Sequence, residues 1–410
     1  MTALAVMDIK TLVEAAARTG AAPPVTRGQG MSLGLPDVVP CRGGRVLVVA
    51  SPGTAARVAG VGALLADGAV GYHEVGTNPT TRQALALSAV IDHLRPYVVV
   101  AVGGGSAIDL AKAARTLRPA ASSLEAGLSG DPRALRTDPP YLLAVPTTAG
   151  TGSEVTPFAT LYHGGKKVSL DVPGVRPDHA LLDGVLVTSC PPRVTVAAAL
   201  DALCHAVEST WNRHATAVSL RYAAAAADTL VRCLAAGRPA AEQLDPEMGE
   251  QRLLAATAAG VAIAQTRTTA AHAFSYRLTA HQGLAHGFAC ALNLVWLAKH
   301  NWEARDNGRD GLGHLLRRLG CQPGADQDTP VPTVSRVLEA AADAGLVEFP
   351  RLTDAELSAQ IAAGLAVRER ADRNPVPLDP GRVREHIIAS GLLTAPGEAF
   401  HHPRLGRITR

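Results

Sequence analysis

Aromatic residues are scarce in this chain: tryptophan, tyrosine and phenylalanine together make up 3% of 410 residues. Small aliphatic side chains must fill the interior, which suits closely packed helices. Disulfides have no footing either. Cys41, Cys190, Cys204, Cys233, Cys290 and Cys321 are scattered and form no CxxC pair, so reduced thiols are expected. No run of about 18 uncharged apolar residues occurs, so no membrane span is expected. The N-terminal MTALAVMDIKTLVEAAARTG carries acids and lacks a basic leader before an apolar core. That pattern predicts no signal peptide and a cytoplasmic location. The net charge of +3 is small and gives no support to nucleic-acid binding, which needs clustered basic residues.

What the chain does have is the balance of a packed globular protein, 47% hydrophobic and 18% charged. Its length exceeds one ordinary core, so two domains are expected, residues 1–185 and 186–410. In the first, RVLVVA (45–50), GAVGYHEVG (68–76), YVVVAV (97–102) and YLLAVP (141–146) read as strands. Helical stretches alternate with them, which predicts an α/β layer with a parallel, Rossmann-like sheet. Beyond residue 186 the strand pattern stops. TVAAALDALCHAVEST, SLRYAAAAADTLVRCLAAG, EQRLLAATAAGVAIAQT and LNLVWLAKHNWEA read as helices, so the second domain is an all-α bundle.

Two turns after strands carry chemistry. GGGSAID (103–109) frees backbone amides at Gly103, Gly104 and Gly105, and Ser106 with Asp109 has the spacing of a capping box. A helix N-terminus there favours pyrophosphate, although a plain tight turn has the same look. PTTAGTGSEVTPF (146–158) gathers Thr147, Thr148, Thr151 and Ser153 around two glycines. Such hydroxyls and amides hold phosphate or ribose oxygens, or simply make a polar connection. Two such loops at the carboxyl ends of successive strands favour the nucleotide reading.

In AALDALCHAVEST (198–210), Asp201 and His205 are four apart and share one helix face among alanines and leucines. They are either half of an N/O metal site or a hydrogen-bonded pair. TTAAHAFSYRLTAHQGLAHG (268–287) adds His272 on a further helix and His286 after a turn that Gly283 and Gly287 allow to bend sharply. One aspartate and these three histidines would close a ring of four ligands, while His281 reads as a loop histidine. Arg267 and Arg277 bracket His272, and arginine suits bidentate contact with phosphonate or carboxylate oxygens. Either could instead face solvent or pair with an acid.

These segments resemble the iron-containing, or group III, alcohol dehydrogenase family. The carriers are GGGSAIDLAKAA (103–114), AVPTTAGTGSEVTPFATL (144–161), ALDALCHAVES (199–209), and His272 with His286 fourteen residues on. The resemblance implies Fe²⁺, or Zn²⁺, held by Asp201, His205, His272 and His286 in a cleft between the domains. It implies NADH or NADPH across Gly103–Ser106 and Thr147/Thr148, with Asn78 lining the cleft and Lys167 approaching the cofactor. It also implies a homodimer. Where many members have a further histidine and a proline, this chain has Tyr276 and Arg277. Tyr276 is then a candidate proton donor or substrate hydrogen bond, although a free tyrosine has a pKa of about 10. Ser51 stands where many NAD-preferring members have an acid, which makes NADPH acceptable. The stretch TRTTAAHAFSYRLT is similar to the phosphonoacetaldehyde reductase branch, with Arg267 in place of a lysine. The resemblance thus implies reduction of a small anionic carbonyl, phosphonoacetaldehyde to 2-hydroxyethylphosphonate, with Arg267, Arg277 and Thr151 contacting substrate. Phosphonopyruvate reduction to phosphonolactate, in which Arg277 meets the extra carboxylate, is the close second. The same motifs also admit a generic alcohol dehydrogenase or a dehydroquinate synthase-like lyase.

Overall fold

The computed structural model describes residues 8–39, 44–72, 74–120, 122–235, 245–305 and 310–393. Cys41, His73, His401 and His402 lie outside the described residues. The described strands, in chain order, are β1 (Val25–Arg27), β2 (Val46–Val49), β3 (Val70–Tyr72), β4 (Val98–Gly103), β5 (Tyr141–Pro146), β6 (Ala159–His163), β7 (Lys166–Leu170) and β8 (His179–Leu182). Six of them form one parallel sheet in the order β1-β8-β5-β4-β2-β3, while β6 and β7 pair antiparallel as a separate hairpin. The central strands are apolar throughout because helices cover both faces. Val46, Val48, Val98 and Val100 enter one core layer, and Leu47, Val49, Val99 and Ala101 enter the other. This is the α/β layer that the sequence predicts. Strands as short as β1 and β8 show too little periodicity to be legible.

Helices follow from Gly184 onward. Their shared core is rich in alanine, with Ala199, Ala202, Ala206, Ala223, Ala258 and Ala259 all buried. The helix Ile9–Arg18, in a stretch given no role from sequence, buries Ile9, Leu12, Val13 and Ala16 in this same core, against the helix Pro246–Thr266. Arg27 adds ion pairs to Glu14 at 2.7 Å and to Glu250 at 3.2 Å.

β4 and β5 lie side by side, with Gly103 opposite Pro146, so the loops that follow them are neighbours at the carboxyl edge of the sheet. One expectation fails here. Gly104, not Ser106, caps the helix Gly105–Thr116, and no side-chain capping bond forms. Ser106 sits inside the first turn because the helix starts directly after the strand. Asp109 instead accepts from Ser153 Oγ at 2.5 Å and from the Thr160 amide at 3.0 Å.

Lys112 is fully buried beside this pair. Its Nζ donates to Ser153 Oγ and Thr156 Oγ1, each at 3.0 Å, and to the Phe158 carbonyl at 2.8 Å. Burial pushes its pKa down to about 8, against the pull of Asp109 and Glu154. The folded protein therefore sheds this proton at lower pH than the unfolded chain, whose ordinary value is 10.5. The penalty is complete below pH 8 and fades as pH rises to 10.5. Stability from this group should grow by up to about 3 kcal/mol across that window. Urea denaturation at about pH 7.5 and about pH 10 checks this. Wild type should change more favourably with pH than Lys112→Met, whereas identical changes would refute the assignment.

Candidate metal centre

The helix Pro192–Trp211 carries the first ligands. Proline at its start lacks an N–H that would be unpaired anyway, and alanines sustain the turns that follow. Asp201, His205 and Glu208 fall at i, i+4 and i+7 and are all buried. Their face meets His272, on the helix Ala270–Gln282, and His286, the first residue of the helix His286–Glu303. Gly283, at φ 65°, ends the earlier of these two helices. Gly287 does not make the bend expected of it. A Cβ there would lie 1.8 Å from the Ala197 carbonyl oxygen and 3.2 Å from Asp201 Cβ. Its bareness lets the helices touch, which sets His286 beside Asp201. His281 lies in the last helical turn, exposed.

Asp201 Oδ1 lies 3.4 Å from His272 Nε2, 3.7 Å from His205 Nε2 and 4.0 Å from His286 Nε2. The rings of His205 and His272 stack with centroids 4.7 Å apart. Asp201 Oδ1, His205 Nδ1 and His272 Nε2 are buried, and none of them forms a hydrogen bond. Buried polar atoms left this way are unfavourable by a few kcal/mol unless a ligand takes them up. Asp201 Oδ1 and His272 Nε2 stand open beside His205 Nε2 and His286 Nε2, and one carboxylate with three imidazoles fits a divalent metal of the iron or zinc type.

The electrostatics agree with a site meant for a cation. Burial alone would raise the pKa of Asp201, but His205, His286 and His272 together hold it far below the carboxylate range. Burial lowers His205 to about 4 and depresses His286 well below its ordinary value, with Lys167 adding to the latter. Burial also works against the charged form of His272, yet the Glu208 and Asp201 carboxylates outweigh it and raise this histidine well above its ordinary value.

Two residues escape sequence reasoning. Glu208 is fully buried and accepts from the Thr269 amide at 2.9 Å, from Thr269 Oγ1 at 2.7 Å and from His272 Nδ1. It leaves His272 Nε2 as the free nitrogen. The signal was its i+7 spacing from Asp201. Cys290, one turn after His286, places a sulfur 3.7 Å from His286 Nε2 and within 4.8 Å of the other ligand atoms of Asp201 and His272. Burial raises its thiol pKa against the pull of His272, which keeps the proton on the sulfur and weakens it as a ligand.

The β6–β7 hairpin supplies the neighbouring wall. Lys167, paired with Tyr162 across the hairpin, places Nζ 3.3 Å from His286 Nε2 and 4.4 Å from the Tyr276 ring centroid. Lys166 is exposed. Arg267 lies over Phe158 at 3.8 Å and pairs with Asp171 at 3.0 Å and Ser169 Oγ at 3.0 Å. Arg277 forms no hydrogen bond or ion pair among the described residues, and its charge bears on Glu356 instead.

The expected cofactor loops lock onto each other. The Thr147 amide donates to the Gly103 carbonyl at 2.9 Å. A Cβ on Gly104 would lie 3.1 Å from Thr148 Oγ1, and one on Gly105 would lie 2.8 Å from Thr151 Oγ1. Thr151 Oγ1 accepts from the Ser153 amide at 3.2 Å. Ser153 and Asp109 spend their polar side-chain atoms on each other, on Lys112 and on the Thr160 amide. Ser51 follows β2 and caps the helix Pro52–Arg57, accepting from the Thr54 amide at 3.2 Å. Asn78 stands in a left-handed conformation, φ 57°, before the helix Thr81–Leu94.

The family model for iron-containing alcohol dehydrogenase matches residues 23–184, and that for the Fe-containing alcohol dehydrogenase family, C-terminal, matches residues 195–373. The chain is 35% identical over 323 residues to phosphonoacetaldehyde reductase from Streptomyces viridochromogenes, covering 76% of this chain and 80% of that one. Sulfoacetaldehyde reductase from Bifidobacterium kashiwanohense, solved in complex with NAD⁺, is similar with a TM-score of 0.74 at 25% identity, over 90% of this chain and 96% of that one. An iron-containing alcohol dehydrogenase from Thermotoga maritima gives 0.71 at 26% identity, over 90% and 98%. With both halves matched in order along one chain, the protein belongs to the iron-containing alcohol dehydrogenase family and is an NAD(P)-dependent oxidoreductase.

Proposed function

We propose that the protein reduces a small phosphonate-bearing aldehyde, phosphonoacetaldehyde, to 2-hydroxyethylphosphonate, using NADPH or NADH and a metal held by Asp201, His205, His272 and His286. The observation that carries this reading is the cluster of His272 and His286 around Asp201 Oδ1, with Asp201 Oδ1 and His272 Nε2 buried and open and the Lys167 ammonium against His286. The 35% identity with phosphonoacetaldehyde reductase supports the substrate, and the sulfoacetaldehyde reductase likeness adds a second aldehyde carrying a tetrahedral oxyanion. Fe²⁺ is the metal we favour, with Zn²⁺ compatible with the same donors. We take residues 1–185 as the cofactor-binding unit and 186–410 as the metal and substrate unit, working in the cytoplasm as a homodimer.

When bound, the metal supplies Lewis acidity toward a carbonyl oxygen, and the nicotinamide supplies hydride to the carbonyl carbon. The protein does the positioning. Gly103–Ser106 and Thr147/Thr148 offer amides and hydroxyls to the cofactor's phosphates at a helix N-terminus. Ser51 leaves no carboxylate at the end of β2 to repel a 2′-phosphate. Glu208 fixes the tautomer of His272. The ring of Tyr276, centred 6.4 Å from that of His286, brings a hydroxyl close enough to the site to hydrogen-bond substrate. The likeness to phosphonoacetaldehyde reductase favours the aldehyde over phosphonopyruvate, the second reading.

NADPH and NADH oxidation by anaerobically Fe²⁺-loaded protein tests this, with phosphonoacetaldehyde, phosphonopyruvate and propanal compared. Phosphonoacetaldehyde should give the highest kcat/KM. Turnover confined to propanal would defeat the phosphonate reading and leave the family assignment intact. Bound metal with no net NAD(P)H consumption would favour a lyase of the dehydroquinate synthase type.

A further inference from the structure

A buried guanidinium with unused N–H groups is unfavourable, and two of them stand beside the candidate centre. Arg370 comes from the short helix Arg368–Ala371 and is 8% exposed. Its Nη1 donates to Thr268 Oγ1 at 2.5 Å, while its Nε forms no hydrogen bond. Glu369 Oε1 stands 4.0 Å from that Nε, on a side chain that is 69% exposed.

Arg267 is the second. Its backbone, at φ 61° and ψ −177°, lies in a region nearly reserved for glycine, a strain of about 1–3 kcal/mol. Asn212 Nδ2 and Thr266 Oγ1 hold its carbonyl in place at 3.2 Å and 2.8 Å. The strained backbone sends the side chain across Phe158 to Ser169 and Asp171, yet its Nη1 stays buried without a partner. Burial and the nearby Arg370 push its pKa down to about 10, so the two guanidiniums repel one another.

Tyr276 is their common neighbour. Its ring centroid lies 6.0 Å from Arg370 Cζ and 4.4 Å from Lys167 Nζ, and Lys167 reaches His286. Lys167 and Arg370 thus come from separate elements to one aromatic ring, and Tyr276 also bears electrostatically on Arg267. Two of the carboxylates opposing them, Asp171 and Glu369, are each more than half exposed, and the buried Glu208, which also bears on Arg370, is taken up by Thr269 and His272. Solvent-facing acids screen such charges weakly on the buried side. An anion with several oxygens, reaching in from the substrate side, would complement this arrangement.

We propose that Arg370 and Arg267, with Lys167, form the seat for the terminal oxyanion of the substrate. Arg370 Nε and Arg267 Nη1 are its open donors, and the Tyr276 ring packs on the short carbon link. Arg277 has no part in it. This inference rests on the substrate reading above.

The test measures kcat/KM for phosphonoacetaldehyde and for propanal in the wild type and in Arg370→Met, Arg267→Met and Arg277→Met. Calorimetry with 2-hydroxyethylphosphonate provides a readout independent of turnover. Losing a buried charged hydrogen bond to the anion should cut the preference for phosphonoacetaldehyde about 100-fold in Arg370→Met and in Arg267→Met. The product's binding heat should vanish in both. Should Arg370→Met fail to fold, Arg370→Gln, which keeps a donor toward Thr268, takes the same readings. Wild-type preference and binding in the folded Arg370 variant would overturn the assignment while leaving the substrate reading intact. A larger loss in Arg277→Met than in Arg370→Met would overturn it too. If the wild type itself shows no preference for the phosphonate, the substrate reading falls first and this inference falls with it.

Discussion

Asp201→Ala is expected to abolish metal retention and to lower NAD(P)H-linked carbonyl reduction by about 10³-fold or more. Asp201 is the one carboxylate among the four expected ligands, and its Oδ1 lies within 4.0 Å of a ring nitrogen of each histidine. Without it the expected ligand set holds no carboxylate to offset the nearby Lys167 ammonium. The fold should survive, because Asp201 Oδ1 makes no hydrogen bond that holds neighbouring elements together. Elemental analysis after desalting should find metal in the wild type and almost none in the variant. Binding of NADPH, followed by its fluorescence, should persist in both. A variant that keeps stoichiometric metal would show that the ion sits elsewhere.

Glu208→Gln should weaken metal binding by roughly 10–100-fold without touching a ligand. The carboxylate accepts from His272 Nδ1, so the proton rests there and Nε2 is left free. A glutamine offers one acceptor and one donor. With Thr269 claiming the oxygen through its amide and hydroxyl, the glutamine N–H faces Nδ1 and drives the proton to Nε2. That tautomer cannot ligate. Chelator competition would reveal the loss, and Glu208→Asp, which restores an acceptor, should recover part of it. Equal affinity in wild type and Glu208→Gln would mean that the carboxylate serves packing alone.

Much of the centre could be read from spacing. Asp201 and His205 share a helix face by their i, i+4 separation, and Glu208 completes the same face one turn on. An acid near a helix end looks like a solvated residue until its burial is known, which is why Glu208 was not legible. The two arginines around His272 show the limit differently. At about 100° per residue, Tyr276 falls close to the face of His272, whereas Arg277 falls about 140° away. Equal nearness in sequence therefore does not put Arg277 on the face that His272 and Tyr276 share. Arg370 lies almost a hundred residues from His272, on a helix of four residues that has no periodic signal. Only packing brings it beside Tyr276. The parallel sheet was legible because its central strands are uniformly apolar. The β6–β7 hairpin, which carries Lys167, was not, because half-buried strands of five residues resemble loops.

The most direct test of the account is phosphonoacetaldehyde-dependent NAD(P)H oxidation by chelator-stripped protein before and after anaerobic addition of Fe²⁺. Negligible turnover is expected in the stripped protein, with recovery at about one ion per chain. Full turnover by protein shown to be metal-free would contradict it.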